Sequence, residues 1–442
     1  EFMKQFVSSG RFLLVFVGLA LKVLNIKPSL VYLGSFLLAI ICMVISLYKL
    51  NSMIKEDVKN KALQIIIPTL VILNAFSLEL FLFVEKGIMI FSVMMNVFAA
   101  GQFKKWLENK NKKHLIIALA YMLLANCSYQ GVVGLFVVLS TIYIIKYSKN
   151  IKEFFINNIV LVFEYAVPAT LDYVLIKVFS VSSRVSGNIN IVESIKKIAK
   201  DSEYMIFKTY DYLPKYFFVA MIAIILLLII YKIVTSKKNN KTLDILKVAY
   251  IILAVILVSV APQIMQNTES IWITPRSTYS YATLFGILVL FLCMNFEIKN
   301  NTQLAIISLS IILLIVQFYK FSTITIDRYK VNAIDYEITK KVSMAIDEYE
   351  KTTNNKIEKL AIYEDKAMSY SYDKLFVTKD TNVKAYAVDW AIKYAIKYFT
   401  GRNLELVEKN EQRAEEFKKQ DWTTFENEQM IFEGDTLHFC RY

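Results

Sequence analysis

Between residues 115 and 146 the chain reads LIIALAYMLLANCSYQGVVGLFVVLSTIYIIK, two apolar runs separated by the polar break Asn126-Cys127-Ser128-Tyr129-Gln130-Gly131. In lipid only a helix satisfies its own backbone, so these runs predict two membrane helices meeting at a corner at the water boundary or in a protein-lined cavity. The same pattern recurs along the chain. It predicts spans at 28–48, 65–84, 88–103, 115–126, 130–146, 155–179, 216–234, 248–265, 279–296 and 303–323, ten in all. Within 9–24 the apolar run covers only about 14 residues and Lys22 interrupts it, against the roughly 20 needed to cross, so residues 1–27 are expected to hold an interfacial helix.

Lysine sets the register of the array. Alternate connections carry lysine after lysine, from Lys49 to Lys61, Lys104 to Lys113, Lys146 to Lys152 and Lys232 to Lys247, then Lys299; the intervening short ones carry only Lys27, Lys86 and Arg276. The tendency of basic loops to stay in the cytoplasm puts the first set inside. The Tyr129 corner, the 180–215 loop and everything after 323 are then expected outside. On that reading all the arginines (Arg11, Arg184, Arg276, Arg328, Arg402, Arg413 and Arg441) fall on the outer side. Arginine's fork suits phosphate and carboxylate better than lysine does, so the segregation points to an outward-facing anionic ligand, unless these arginines simply populate interfaces and a soluble domain.

Composition agrees with a polytopic α-helical membrane protein. Of 442 residues 56% are hydrophobic and 14% aromatic, and the mean hydropathy is +0.44, a combination foreign to water-soluble chains of this length. The net charge of +13 would suggest nucleic acid elsewhere, but here topology accounts for the basic loops, and no nucleic-acid partner is expected. The four cysteines and two histidines have no metal-ligand spacing. No cofactor is required by anything the sequence shows, and dependence on a divalent metal is not predictable from it. The opening Glu1-Phe2-Met3 reads as a cloning junction, which predicts that an upstream membrane helix and its outer loop belong ahead of this chain.

After Phe321 the long apolar runs stop. Residues 324–442 predict a small extracytoplasmic α/β domain: a helix through Ala333–Tyr349, a strand near Lys359–Tyr363, a helix through Ala385–Phe399, and strands at Gln429–Phe432 and Thr436–Cys440 joined by the turn pair Gly434-Asp435. The membrane domain is then 28–323. No glycine-rich phosphate loop, nucleophile elbow or internal repeat is visible.

Acidic residues within or at the ends of spans are the best pointers to chemistry, because burying them in lipid is costly. Glu79, Glu85, Glu164 and Asp172 are such residues, with Pro168 predicted to kink the helix carrying the last two. Facing them on the outer side are Tyr129, Gln130, Arg184, Arg276 and Tyr279. A carboxylate, an arginine and aromatic platforms at one membrane face suit a lipid-linked sugar phosphate: arginine for the phosphate, aromatics for sugar or prenyl chain, a carboxylate as base. The competing reading is structural, with the acids pairing to polar neighbours to hold helices together and Tyr129 and Gln130 capping a helical hairpin.

The Ser9-Gly10-Arg11 start of the interfacial helix, the Ser128-Tyr129-Gln130 corner, Pro275-Arg276 ahead of a late span, and the ending Trp422-Thr423-Thr424-Phe425 through Gln429-Met430-Ile431-Phe432 to Gly434-Asp435-Thr436-Leu437-His438-Phe439-Cys440-Arg441-Tyr442 together resemble the type II O-antigen glucosyltransferase family. The resemblance implies a glycosyltransferase of the GT-C class in the bacterial cytoplasmic (inner) membrane. It would take glucose from an undecaprenyl-phosphate carrier and add it to a cell-surface polysaccharide, alongside the membrane proteins that make and flip the donor. It also implies essential acids in a first outer loop just ahead of the Gly-Arg stretch, where this chain begins. Glu79 or Glu85 is then the expected catalytic acid, with Arg11, Tyr129, Gln130, Asp172, Arg276 and Tyr279 expected to bind substrate. Two other readings stay open: a transporter or flippase of lipid-linked saccharide, for which paired repeats with broken helices are expected, and a membrane scaffold for which no single charged residue matters.

Overall fold

A computed structural model describes residues 6–179, 190–207, 212–214, 216–236, 241–264, 266, 268–271, 273–366, 384–422 and 424–441. The chain divides into two compact units, with the boundary between Phe318 and Tyr319.

The first unit is helical. In chain order its helices are α1 (Phe12–Val23), α2 (Pro28–Ile54), α3 (Lys61–Ile72), α4 (Ser77–Phe81), α5 (Lys86–Asn109), α6 (Lys112–Ser128), α7 (Gly134–Tyr147), α8 (Ile151–Phe179), α9 (Ile191–Phe207), α10 (Phe217–Thr235), α11 (Lys241–Ile264) and α12 (Leu284–Asn295), followed by α13 (Asn300–Thr353), in which the unit boundary falls. Short 3₁₀ turns at Gln130–Val132 and Pro275–Thr283 lead into α7 and α12. Asparagines start several helices: Asn60 accepts from Ala62 N (2.9 Å) ahead of α3, and Asn111 from Lys113 N (3.0 Å) ahead of α6, each occupying an N–H that has no partner within the helix.

Among the described residues eight helical segments are long and apolar enough to cross a membrane, so the chain is a polytopic helical membrane protein. Ten was the expectation, and two segments account for the difference. The predicted span 65–84 breaks after Ile72, because Asn74 turns its side chain onto the local backbone, donating to Val71 O (3.0 Å) and accepting from Phe76 N (2.9 Å). What remains of it, α3, is 12 residues, about 18 Å of helix against a hydrocarbon core of about 30 Å. α6, at 17 residues, spans about 26 Å and stands at the short limit of helices that cross. α5, α7 and α12 lie mostly inside the protein, whereas α2, α8, α10 and α11 turn most of their apolar side chains outward, as lipid-facing helices do.

In the second unit, α13 continues unbroken through what the sequence pattern separates into a span at 303–323 and a helix at 333–349. Thr323 and Thr325 turn their hydroxyls onto the carbonyls of Tyr319 (3.0 Å) and Phe321 (2.9 Å), the back-bonding by which threonines are accommodated inside a helix. Four strands, β1 (Lys359–Glu364), β2 (Glu405–Leu406), β3 (Met430–Glu433) and β4 (Thr436–Arg441), form a sheet of order β2-β1-β4-β3. β1 runs parallel to β2 and β4, and β3 runs antiparallel to β4 across the Gly434-Asp435 turn. Alternation sends Leu360, Leu437 and Phe439 to one face against Ile338, Val342 and Ile346 of α13 and Ile392 and Ile396 of α14 (Asp389–Thr400). Ala361, Tyr363 and Cys440 go to the other face, against Phe417 of α15 (Glu411–Phe417).

Candidate functional site

A cavity of about 530 Å³ opens within the first unit, a volume typical of small-molecule sites. Its wall is assembled from five places in the chain: the turn ahead of α1 with Ser9 and Arg11, the Tyr129–Gly131 corner, α8 with Ala169, Asp172 and Ile176, the end of α11 with Pro262 and Gln263, and the turn holding Thr274, Arg276 and Ser277. Two glycines allow these pieces to meet. A Cβ on Gly10, which sits at φ +71°, would lie 2.5 Å from both Asp172 Oδ2 and Gln130 Nε2, and one on Gly131 would lie 2.7 Å from the Arg276 carbonyl. No L side chain fits at either place without displacing the wall.

The Arg276 turn is built locally. Thr274 and Ser277 form a capping box, with Thr274 N donating to Ser277 Oγ (2.9 Å), and Pro275 takes the first helical position, where a missing N–H costs nothing. Glu79 then clamps the turn from behind. The Arg276 guanidinium donates to Glu79 Oε1 (2.5 Å) and the Arg276 backbone N–H to Glu79 Oε2 (2.7 Å), and the guanidinium also lies over the Phe83 ring. A second pair sits at the other side: Arg11 donates to Glu85 Oε1 (3.2 Å) and stacks over the Tyr129 ring, 4.9 Å from its centroid. This pair is the looser one, with both side chains 19% exposed, whereas Glu79 is 4% exposed.

Asp172 behaves differently. Its Oδ2 accepts from Gln130 Nε2 (2.7 Å), while its Oδ1 is buried with no hydrogen-bond partner among the described residues. Gln263 Oε1 is buried in the same condition. Both residues line the cavity. An enclosed acceptor without a donor is uncommon in folded proteins and calls for a specific explanation.

Of the residues singled out from sequence, the cavity wall therefore gathers Arg11, Tyr129, Gln130, Asp172 and Arg276. Glu79 and Glu85 are not in the wall; each stands behind an arginine that is. The carboxylate that does line the cavity is Asp172. Tyr279 is fully enclosed away from the wall and donates to the Ile72 carbonyl (2.6 Å), tying the Pro275–Thr283 turn ahead of α12 to the end of α3. Glu164 lies buried on α8 outside the wall, and Arg184 falls outside the described residues. Among the described residues no group of three or more His, Cys, Asp or Glu side chains is arranged to hold a metal ion. Gln263 is the residue the sequence reading passed over. Its signal was available: a glutamine directly after a proline inside an otherwise apolar run. Comparison with protein-family models, with curated proteins and with solved structures finds no match.

Proposed function

We propose that the cavity binds a polyprenyl-phosphate-linked sugar and that the chain is a membrane glycosyltransferase passing that sugar to a surface polysaccharide. The observation that carries this reading is the composition of a single wall within a membrane-helix unit. It brings together two arginines, a buried carboxylate with an unused oxygen, and an apolar side made by Ala166, Ala169 and Ile176. These suit, in turn, a phosphate, a reacting hydroxyl and the first part of a prenyl chain. In the reaction the acceptor hydroxyl attacks the anomeric carbon as the bond from that carbon to the phosphate oxygen breaks. The hydroxyl proton passes to Asp172, and the polyprenyl phosphate leaves with its charge facing the arginines.

The ion pairs support further roles within this reading. Two guanidiniums and two glutamates sum to zero charge, so an entering phosphate must compete for an arginine that is already matched. The longer and more exposed Arg11–Glu85 pair is the one it exchanges with, while Arg276, clamped through side chain and backbone, stays in place. Glu79 and Glu85 are thus counter-ions, and Asp172 takes the base role. Transfer of radiolabelled glucose from undecaprenyl-phosphate-glucose to surface polysaccharide in membranes tests this. Asp172→Asn is expected to lower transfer by on the order of a hundredfold or more, and Arg276→Ala to weaken use of the donor. Wild-type rates in both variants would overturn the reading. The flippase alternative has one support, the helix break after Ile72 together with Pro168 and Pro262 inside long helices. It predicts movement of labelled lipid between leaflets with no transfer to acceptor.

A further inference from the structure

Resting on that reading, we propose that Gln263 recognises a hydroxyl of the sugar carried by the donor, in the cavity where Asp172 serves as base, and that Gln263 is a specificity-determining residue. The observation that leads there is that two residues lining the cavity, Asp172 and Gln263, each carry a buried oxygen, Oδ1 and Oε1, without a hydrogen-bond partner among the described residues. A ligand seated there must supply donors. Phosphate is excluded as the donor group, because it offers only acceptors and would stand against the Asp172 carboxylate. The sugar of the proposed donor supplies hydroxyls. Being donor and acceptor at once, a hydroxyl satisfies the glutamine amide whichever way round it is turned.

The local construction fits a fixed pocket end rather than a loose one. Gln130 holds Oδ2 of Asp172 at 2.7 Å, and Oδ1 is left without a partner among the described residues. Gly10 closes on that pair so tightly that even a methyl group is shut out. Gln263 follows Pro262, which removes one rung of the α11 backbone ladder at the position where the helix meets the cavity. A site built to hydrogen-bond hydroxyls discriminates strongly against analogues that lack them, because its own polar groups are then left buried and unpaired.

The test uses the full chain in lipid nanodiscs and two probes, undecaprenyl phosphate and undecaprenyl-phosphate-glucose, with a set of monodeoxyglucose versions of the second. Gln263→Leu is expected to weaken the glucosyl lipid roughly tenfold to a hundredfold while leaving bare undecaprenyl phosphate unchanged. At least one deoxy analogue should bind wild type and variant equally. Equal loss for both probes, or no loss for either, overturns the inference. Gln263→Glu, which keeps an acceptor, gives a second reading of the same comparison if the leucine variant does not fold. If wild type binds neither lipid, the donor assignment fails, and the inference is decided by thermal shift with free glucose. A shift in wild type that Gln263→Leu abolishes upholds it, and no shift overturns it.

Discussion

Gly10 shows how a single position governs the cavity. Its backbone is left-handed at φ +71°, where any other residue is strained, and a Cβ would meet Asp172 Oδ2 and Gln130 Nε2 at 2.5 Å. Gly10→Ala therefore combines backbone strain with displacement of the Gln130–Asp172 hydrogen bond. A loss of about 1–3 kcal/mol is expected from the strained conformation, together with loss of donor binding; thermal unfolding in detergent and nanodisc binding check the two parts. A variant as stable as wild type that still binds donor would contradict this account of the wall. Arg11, Tyr129, Gln130, Asp172 and Arg276 were legible as candidates because polar residues at the ends of apolar runs are few and conspicuous. Their pairings were not legible. Arg276 and Glu79 are 197 residues apart and Arg11 and Glu85 are 74 apart, so which acid would face the cavity and which would stand behind an arginine depended on tertiary packing that hydropathy does not encode.

Elements were legible where periodicity decides and illegible where local hydrogen bonding does. The alternation in Lys359–Glu364 and Thr436–Arg441, with Gly434-Asp435 between the last two strands, matches what the sheet contains. The two-residue β2 was too short to register. Hydropathy ran through the break at Asn74 because it counts the apolar residues on both sides and does not see an amide capturing the backbone between them. The same averaging divided α13, whose threonines bond back within the helix instead of ending it. In the second unit α13 and α14 share an apolar core, and one residue adds a polar tie to it. Arg402, just past the Gly401 cap of α14, gives two parallel hydrogen bonds to Glu350 (2.9 and 3.0 Å) and a further one to Asp347. Such a fork depends on guanidinium geometry. Arg402→Lys, which keeps the charge and loses the fork, should cost on the order of 1 kcal/mol, with Arg402→Met costing more. Denaturant unfolding followed by Trp390 and Trp422 fluorescence measures it, and a lysine variant as stable as wild type would show that charge alone makes the tie.

Across the whole molecule the two units depend on different forces, and acid should separate them. The first unit is held mainly by apolar packing among helices with largely lipophilic exteriors, an interaction that does not titrate, with the Arg276–Glu79 and Arg11–Glu85 pairs as its charged ties. The second relies on ionised carboxylates: Glu350 and Glu433 are held below the ordinary value of 4.5 chiefly by hydrogen bonds from Arg402 and Arg413, and Asp435 below 3.8 by Lys359. Stability from such groups is present above their unfolded values and is lost as pH falls through the folded ones. His438 acts earlier. It is enclosed against Tyr363, whose hydroxyl lies 2.8 Å from Nδ1, with Glu433 beside Nε2 and Arg413 nearby, and burial lowers it from 6.5. Its folded state prefers the neutral ring, so its contribution is complete above about 6.5 and declines below it as the unfolded chain binds the proton first. Asp335 has the opposite sign: burial raises it above 3.8, so falling pH relieves part of its cost. Three depressed carboxylates and one depressed histidine act against it. Acid titration of the full chain should therefore unfold the second unit in two stages, a shallow decline from about pH 6.5 and a steeper one below about 4.5, while the helices of the first unit persist. Fluorescence of Trp390 and Trp422, with Trp106 and Trp272 replaced by phenylalanine, reports the former, and residual far-ultraviolet helicity reports the latter. His438→Gln should remove the shallow stage alone, because the steeper one belongs to the carboxylates. If both signals fell together at one pH, the two units would unfold as one, contrary to the division of the chain into two compact units on which this prediction rests.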